Sequence, residues 1–383
     1  MRLAQATQVS RLLGSSAWRR NRLLILCYHG VSRYDEHEWN GSLYMTPALL
    51  RRRLQLVADM GCNVLPLTEA LSRLRSGTLP ERAVALTFDD GFQDFYSLAL
   101  PIVESFGFPV TLYLTTYYVE FNRPIFRPMS SYLLWKGRDQ QRFEFPEISA
   151  RPFSLDDAGR PQVIASIREF ALSRKLSGLQ KDELLARVAG SLGVDYADLC
   201  RRRVLHLVNP QEAREVASRG VSLEYHTHRH RIGDTRGALV AELQDNRRRI
   251  MMFTSHEPRH FCYTSGYHLP QHPGFLEEYG MLSATTCRTG MCTTRSHPML
   301  LPRLVDGMGM TDVEFCAWLT GTAEFLPRRN EDDPDEEPAS AHDLGPPSLA
   351  PHQSASEPAP QAVPTTAQRA PEDRFGATPG GGN

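Results

Sequence analysis

Short apolar runs alternate with amphipathic stretches along most of this chain, and that rhythm is the strongest constraint on its fold. The runs are "RLLILCY" (22–28), "CNVLPL" (62–67), "RAVALTF" (82–88), "PVTLYLTT" (109–116), "VSLEY" (221–225), "HFCYTS" (260–265) and "MLSATT" (281–286). The helical stretches between them carry their own punctuation. In "TPALLRRRLQLVADMG" (46–61), Thr46 is an N-cap, Pro47 takes the first helical position and Gly61 ends the helix. In "NPQEAREVASRG" (209–220), Asn209 and Glu212 have the spacing of a capping box. Strands alternating with helices specify an α/β fold on a parallel sheet, open or closed into a barrel. In either form, ligand chemistry gathers beyond the C-terminal ends of the strands.

Four strand ends carry chemically capable side chains. "TFDDG" places Asp89 and Asp90 after one strand, and "EYHTHRH" places His226, His228 and His230 after another. "CYHG" places His29 after a third, and "CYTSG" places Ser265 before Gly266 after a fourth. Each is ordinary alone. Asp-Asp-Gly makes a turn in which Asp bonds its own backbone. Clustered histidines form a solvated stretch, and a Tyr-His pair sits in a core. Together they supply what a mononuclear metal hydrolase needs: three nitrogen or oxygen ligands, an open position for water and a nearby base.

Composition excludes some alternatives and divides the chain. A net charge of -1 gives no footprint for nucleic acid or an anionic membrane. The apolar "LLILCY" is too short to cross a membrane and leads straight into "HGVS", which reads as a buried strand and not as a transmembrane segment or signal peptide. Seven cysteines without a C-x-x-C pair fit a reduced, cytoplasmic chain. Residues 120–208 break the strand–helix rhythm and read as a mostly helical insertion. From 328 to 383 the chain is rich in Pro, Ala, Ser and acidic residues, and this composition predicts a disordered tail. The expected catalytic domain is therefore 22–327.

"TFDDG" (Thr87–Gly91) followed by "HTHRH" (His226–His230) resembles the polysaccharide deacetylases, the NodB-homology carbohydrate esterases, across roughly residues 22–325. The resemblance implies an irregular (β/α) barrel. It also implies a divalent metal cofactor, commonly zinc, held by Asp90, His226 and His230. Asp89 would be the catalytic base, and Thr227 would brace the histidine loop. "HFCYTSG" is similar to the family's third motif, in which the backbone N–H before the glycine, here that of Ser265, helps form an oxyanion hole. Many relatives carry an acid histidine in a late L-x-H motif, which has no match after residue 280. Others place it early, in a form that "CYHGV" fits, so His29 is the candidate acid. The motif proline is Thr264 here, and a relative's arginine position is Cys262. Arg303, in "LLPRLVD", is a candidate to supply the missing positive charge beside Asp89, with a purely structural role as the alternative.

The implied reaction is hydrolysis of a carbon–nitrogen amide bond on an N-acetylated amino sugar, in a glycan or a carrier-linked saccharide. The expected partner is thus a carbohydrate. The same motifs permit an amidohydrolase acting on a non-sugar substrate. Thr264 leaves open a catalytically impaired, carbohydrate-binding relative.

Overall fold

Strand β1 (Leu24–Tyr28) is buried at every position, as a parallel strand covered on both faces must be. It pairs in parallel with β2 (Ala83–Phe88), with Leu26 opposite Leu86. The computed structural model describes residues 17–325, and the predicted disordered tail, 328–383, lies outside the described residues. From β2 the sheet continues through β3 (Val110–Leu114), β4 (Ser222–Tyr225), β5 (His260–Cys262) and β6 (Ser283–Thr285), all parallel. On the other side of β1 lies β7 (Leu304–Val305), with Leu26 opposite Leu304.

The sheet curls until its two edges meet. A parallel bridge joins Thr285 to Leu301. The Leu301 N–H donates to Ala284 O, and the Thr286 N–H donates to Leu301 O, both at 2.9 Å. Residues 301–305 thus connect β6 to β1 and complete an irregular (β/α) barrel. A two-residue strand, Asn63–Val64, pairs with the first residues of β2.

Helices cover the outside: α1 (Pro47–Asp59), α2 (Leu67–Ser76) and α3 (Leu100–Ser105) precede the insertion. Thr46 caps α1 through the Leu49 N–H, as its position before Pro47 predicts. Inside the stretch 120–208 lie α4 (Phe126–Lys136), α5 (Gly159–Ser173), α6 (Gly178–Ser191) and α7 (Tyr196–Arg201), with a small antiparallel pair, Arg142–Phe143 and Phe153–Ser154. Then follow α8 (Pro210–Ser218), α9 (Arg236–Ile250), α10 (His272–Tyr279) and α11 (Asp312–Thr320). The Asn209–Glu212 capping box at α8 is fully formed.

Three local expectations change. "CNVLPL" forms only a two-residue strand, because Pro66 is the N-cap of α2 and fixes the chain for a helix. The stretch "FYSLALPIVESFG" (95–107) reads as a helix, and it begins as a π-helical turn, Phe95–Ala99, directly behind the Asp-Asp-Gly turn. Strand β7 has no counterpart in the sequence reading. None of the seven cysteines is disulfide-bonded, and no described helix is long and apolar enough to cross a membrane.

Candidate functional site

The turn after β2 sends its two aspartates in different directions. Asp90 sits in the left-handed region at φ 70°, and Gly91 follows at φ 89°. A Cβ on Gly91 would run into Leu114 Cδ1, so a side chain fits here only if Leu114 shifts, and the positive φ strains it in any case. The end of the insertion folds back against the turn. The Gln93 N–H donates to His206 O and the Val208 N–H donates to Gly91 O, both at 2.9 Å.

Asp90 Oδ1 lies 3.1 Å from Nε2 of both His226 and His230, and the three donor atoms fall within 4.8 Å of one another. Asp90 and His226 are buried, while the His230 side chain keeps 29% of its exposure. His226 Nδ1 pairs with the carbonyl of Cys262 at 2.9 Å. A carbonyl only accepts, so Nδ1 carries the hydrogen and neutral His226 presents a bare Nε2 to Asp90. A lone pair and a carboxylate oxygen at 3.1 Å need a proton or a metal cation between them. Burial works against charge on His226, but Cys262 and the contact with Asp90 raise its pKa well above the usual imidazole range. For Asp90, burial likewise opposes charge, and His230 and His226 nevertheless hold the carboxyl well below its ordinary value. This all-N/O donor set, with one partly open ligand, fits a catalytic divalent ion such as zinc.

Helix α9 fixes the histidine loop. Asn246 Oδ1 accepts the His226 N–H at 3.0 Å, and its Nδ2 donates to Leu114 O and Thr116 Oγ1. Glu242 accepts from the Arg229 N–H and guanidinium. Thr227, at φ 58°, accepts the Arg231 N–H on its Oγ1 at 3.0 Å. His228 is turned inward rather than toward the rim. Its ring nitrogen meets Thr116 Oγ1 at 2.8 Å, and its carbonyl accepts from the Tyr117 N–H. Burial, followed by the positive charge of Arg229, lowers its pKa to about 4. Nine non-glycine described residues have positive φ, and Asp90, Thr227, His230 and Ser265 are four of them. Each such backbone costs on the order of 1–3 kcal/mol and persists only where its surroundings impose it.

Asp89 points into the barrel. Arg303 grips it with a two-pronged fork, Nη1 to Oδ1 at 2.8 Å and Nη2 to Oδ2 at 2.7 Å. Arg303 is itself held by Thr286 O and Thr87 Oγ1. Burial would raise the Asp89 pKa, but the guanidinium keeps the carboxyl far below its usual range. The thiols of Cys27 and Cys262 approach Oδ2 at 3.6 and 3.3 Å.

His29 Nε2 is 3.7 Å from Asp89 Oδ2, beyond hydrogen-bond range, and its buried Nδ1 has no partner. Burial lowers its pKa, with Asp89 pulling the other way. Ser265, left-handed at φ 54° and exposed, stands at the end of β5 outside the Asp90–His226–His230 group. The hydroxyl of neighbouring Thr264 is buried without a partner.

Cys262 entered the sequence reading only as a relative's arginine position, and Cys27, Glu242 and Asn246 were missed. A signal existed for the last two. Leu239, Glu242, Leu243, Asn246 and Ile250 form the buried stripe of α9, and a carboxylate and an amide within an apolar stripe need a buried partner.

Residues 76–132 match the family model described as polysaccharide deacetylase. This segment includes the Asp-Asp-Gly turn but not the histidine loop. The chain is similar to the poly-beta-1,6-N-acetyl-D-glucosamine N-deacetylase of Escherichia coli K12, 31% identical over 99 residues. It is also similar to the putative polysaccharide deacetylase YxkH of Bacillus subtilis, 30% identical over 105 residues. Each match covers 26% of this chain, but only 14% and 36%, respectively, of those proteins. IcaB from Ammonifex degensii superposes with a TM-score of 0.49 at 15% identity, covering 78% of this chain and 97% of that one.

Proposed function

We propose that this chain, which belongs to the polysaccharide deacetylase family, is a metal-dependent hydrolase that removes acetyl groups from N-acetylated amino sugars. The observation that carries the reading is the paired geometry at the end of β2. Asp90 faces two imidazoles at 3.1 Å, and its neighbour Asp89 is locked ionised on Arg303.

Asp90, His226 and His230 would hold the ion. When bound, a divalent ion supplies Lewis acidity and makes water a stronger acid. Asp89 takes the proton of the attacking water. The Arg303 fork occupies one lone pair on each carboxylate oxygen, which leaves Asp89 further acceptor capacity. Because Arg303 holds the Asp89 carboxyl far below its usual range, it needs no prior deprotonation near neutral pH. His29 gives its proton to the departing amine, which requires the charged imidazole that burial disfavours and the two aspartates support. The Ser265 N–H donates to the oxygen that gains charge in the tetrahedral state. Acetate and a free amino sugar result.

The E. coli relative is named for poly-beta-1,6-N-acetyl-D-glucosamine, which makes that polymer the first substrate to test. The assay measures acetate release from β-1,6- and β-1,4-linked N-acetylglucosamine oligomers by chelated and metal-reconstituted protein. Metal-restored release from at least one sugar series is expected. Release only from non-sugar acetamides would replace this reading with a general amidohydrolase. Metal binding without release from any substrate would make the chain a binding relative.

A further inference from the structure

A second trio of donor atoms converges beside the first. Cys27, His29 and Asp89 present one sulfur, one nitrogen and one oxygen, all within 4.8 Å of one another. Cys27 Sγ lies 3.6 Å and His29 Nε2 lies 3.7 Å from the same oxygen, Asp89 Oδ2. A tetrahedral ion with bonds of about 2.3 Å to sulfur and about 2.0 Å to nitrogen or oxygen spaces its ligand atoms roughly 3.3–3.5 Å apart. The two contacts to Asp89 Oδ2 need adjustments of only a few tenths of an ångström to reach that spacing.

His29 supplies an independent sign. Its Nδ1 is buried without a hydrogen-bond partner, so no outside contact fixes the tautomer, and either nitrogen is available as a lone-pair donor. Cys262 also touches Asp89 Oδ2, at 3.3 Å, yet it falls in a different group, with Asp89 and His226.

We propose that Cys27, His29 and Asp89 form a second cation site, which selects thiophilic divalent ions such as cadmium, or zinc in excess. The thiol sets that preference, because soft sulfur favours soft metals over magnesium or calcium. Binding forms a bond from the metal to Cys27 Sγ and releases the thiol proton to solvent. The thiolate and the carboxylate offset the ion's two positive charges, but Asp89 already balances Arg303, so the group that includes Arg303 gains one net positive charge. If the proposed hydrolysis is right, an ion here withdraws its base and its acid together. Activity would then rise with the first equivalent of zinc and fall with excess.

The test uses the full chain, stripped by a chelator and titrated with cadmium. Cadmium content after gel filtration is read together with the ultraviolet charge-transfer band of a thiolate–cadmium bond. Wild type should hold two equivalents and show the band. Cys27→Ser should hold one and lack it, whereas Cys262→Ser should keep both. His29→Gln, which leaves the buried thiol intact, should weaken the second equivalent by at least about 10-fold, the scale on which a lost metal contact acts. This gives an answer even if Cys27→Ser does not fold. A band that survives in Cys27→Ser, or is lost in Cys262→Ser, overturns the site, as does a wild type that shows no band. The band requires neither deacetylation nor an ion on Asp90, His226 and His230, so failure of the function reading would leave it intact.

Discussion

Replacing Arg303 with methionine tests how Asp89 is held. The substitution keeps an unbranched side chain and removes the fork that binds both carboxylate oxygens at 2.7–2.8 Å. Both partners are fully or almost fully buried. Breaking such a pair from one side leaves an uncompensated charge and costs about 3–5 kcal/mol. At a urea m-value of about 2–3 kcal/mol per molar, the midpoint falls by roughly 1–2.5 M. The pH dependence separates this cause from simple loss of packing. In wild type the folded carboxyl lies below its unfolded value. Its stabilisation is therefore complete above the unfolded pKa and is lost only as pH falls through the folded one. In Arg303→Met, burial acts unopposed by the guanidinium and raises the folded pKa above the unfolded one. The deficit should then be largest at neutral pH and shrink on acidification, as the buried carboxyl takes up a proton. Urea unfolding at pH 7.5 and pH 5, with chelator present to remove metal linkage, reads both effects. A cost under about 1 kcal/mol, or one equal at both pH values, would refute the reasoning.

Further outcomes follow from the same geometry. Asp90→Ala should abolish stoichiometric binding at the proposed catalytic site while the far-ultraviolet circular dichroism stays that of wild type; elemental analysis of purified protein checks this. Gly91→Ala forces a side chain into Leu114 at positive φ. It should cost about 1–3 kcal/mol in denaturant titration and lower acetate release by displacing Asp90. Thr264→Val removes a buried hydroxyl that has no partner. Its thermal midpoint should stay the same or rise, and a loss above about 1 kcal/mol would show that the hydroxyl is bonded after all.

The barrel and the convergence of Asp90, His226 and His230 were legible because both are written in local pattern. Runs such as Ala83–Phe88 are apolar throughout, caps such as Asn209 mark their helices, and polar residues follow directly on the strands. Other features depend on distant contacts. Strand β7 has two residues, too few to show any period, and exists because Leu304 meets Leu26 across the closing barrel. The Arg303–Asp89 fork joins residues 214 positions apart, so the sequence could offer Arg303 only as a candidate. The insertion's end, His206–Val208, bonds to Gly91 and Gln93, a contact between distant positions that no local pattern announces. The inward turn of His228 depends on Thr116, at the end of another strand.

The most direct test of the central claim is Asp89→Asn, measured for metal content and acetate release in the same preparation. Asparagine keeps the shape and removes the charge that would accept the proton, while Asp90, His226 and His230 are untouched. The account predicts wild-type metal stoichiometry at the proposed catalytic site, with acetate release from N-acetylglucosamine oligomers reduced by about 10²-fold or more. Full metal content with release at the wild-type rate would contradict it.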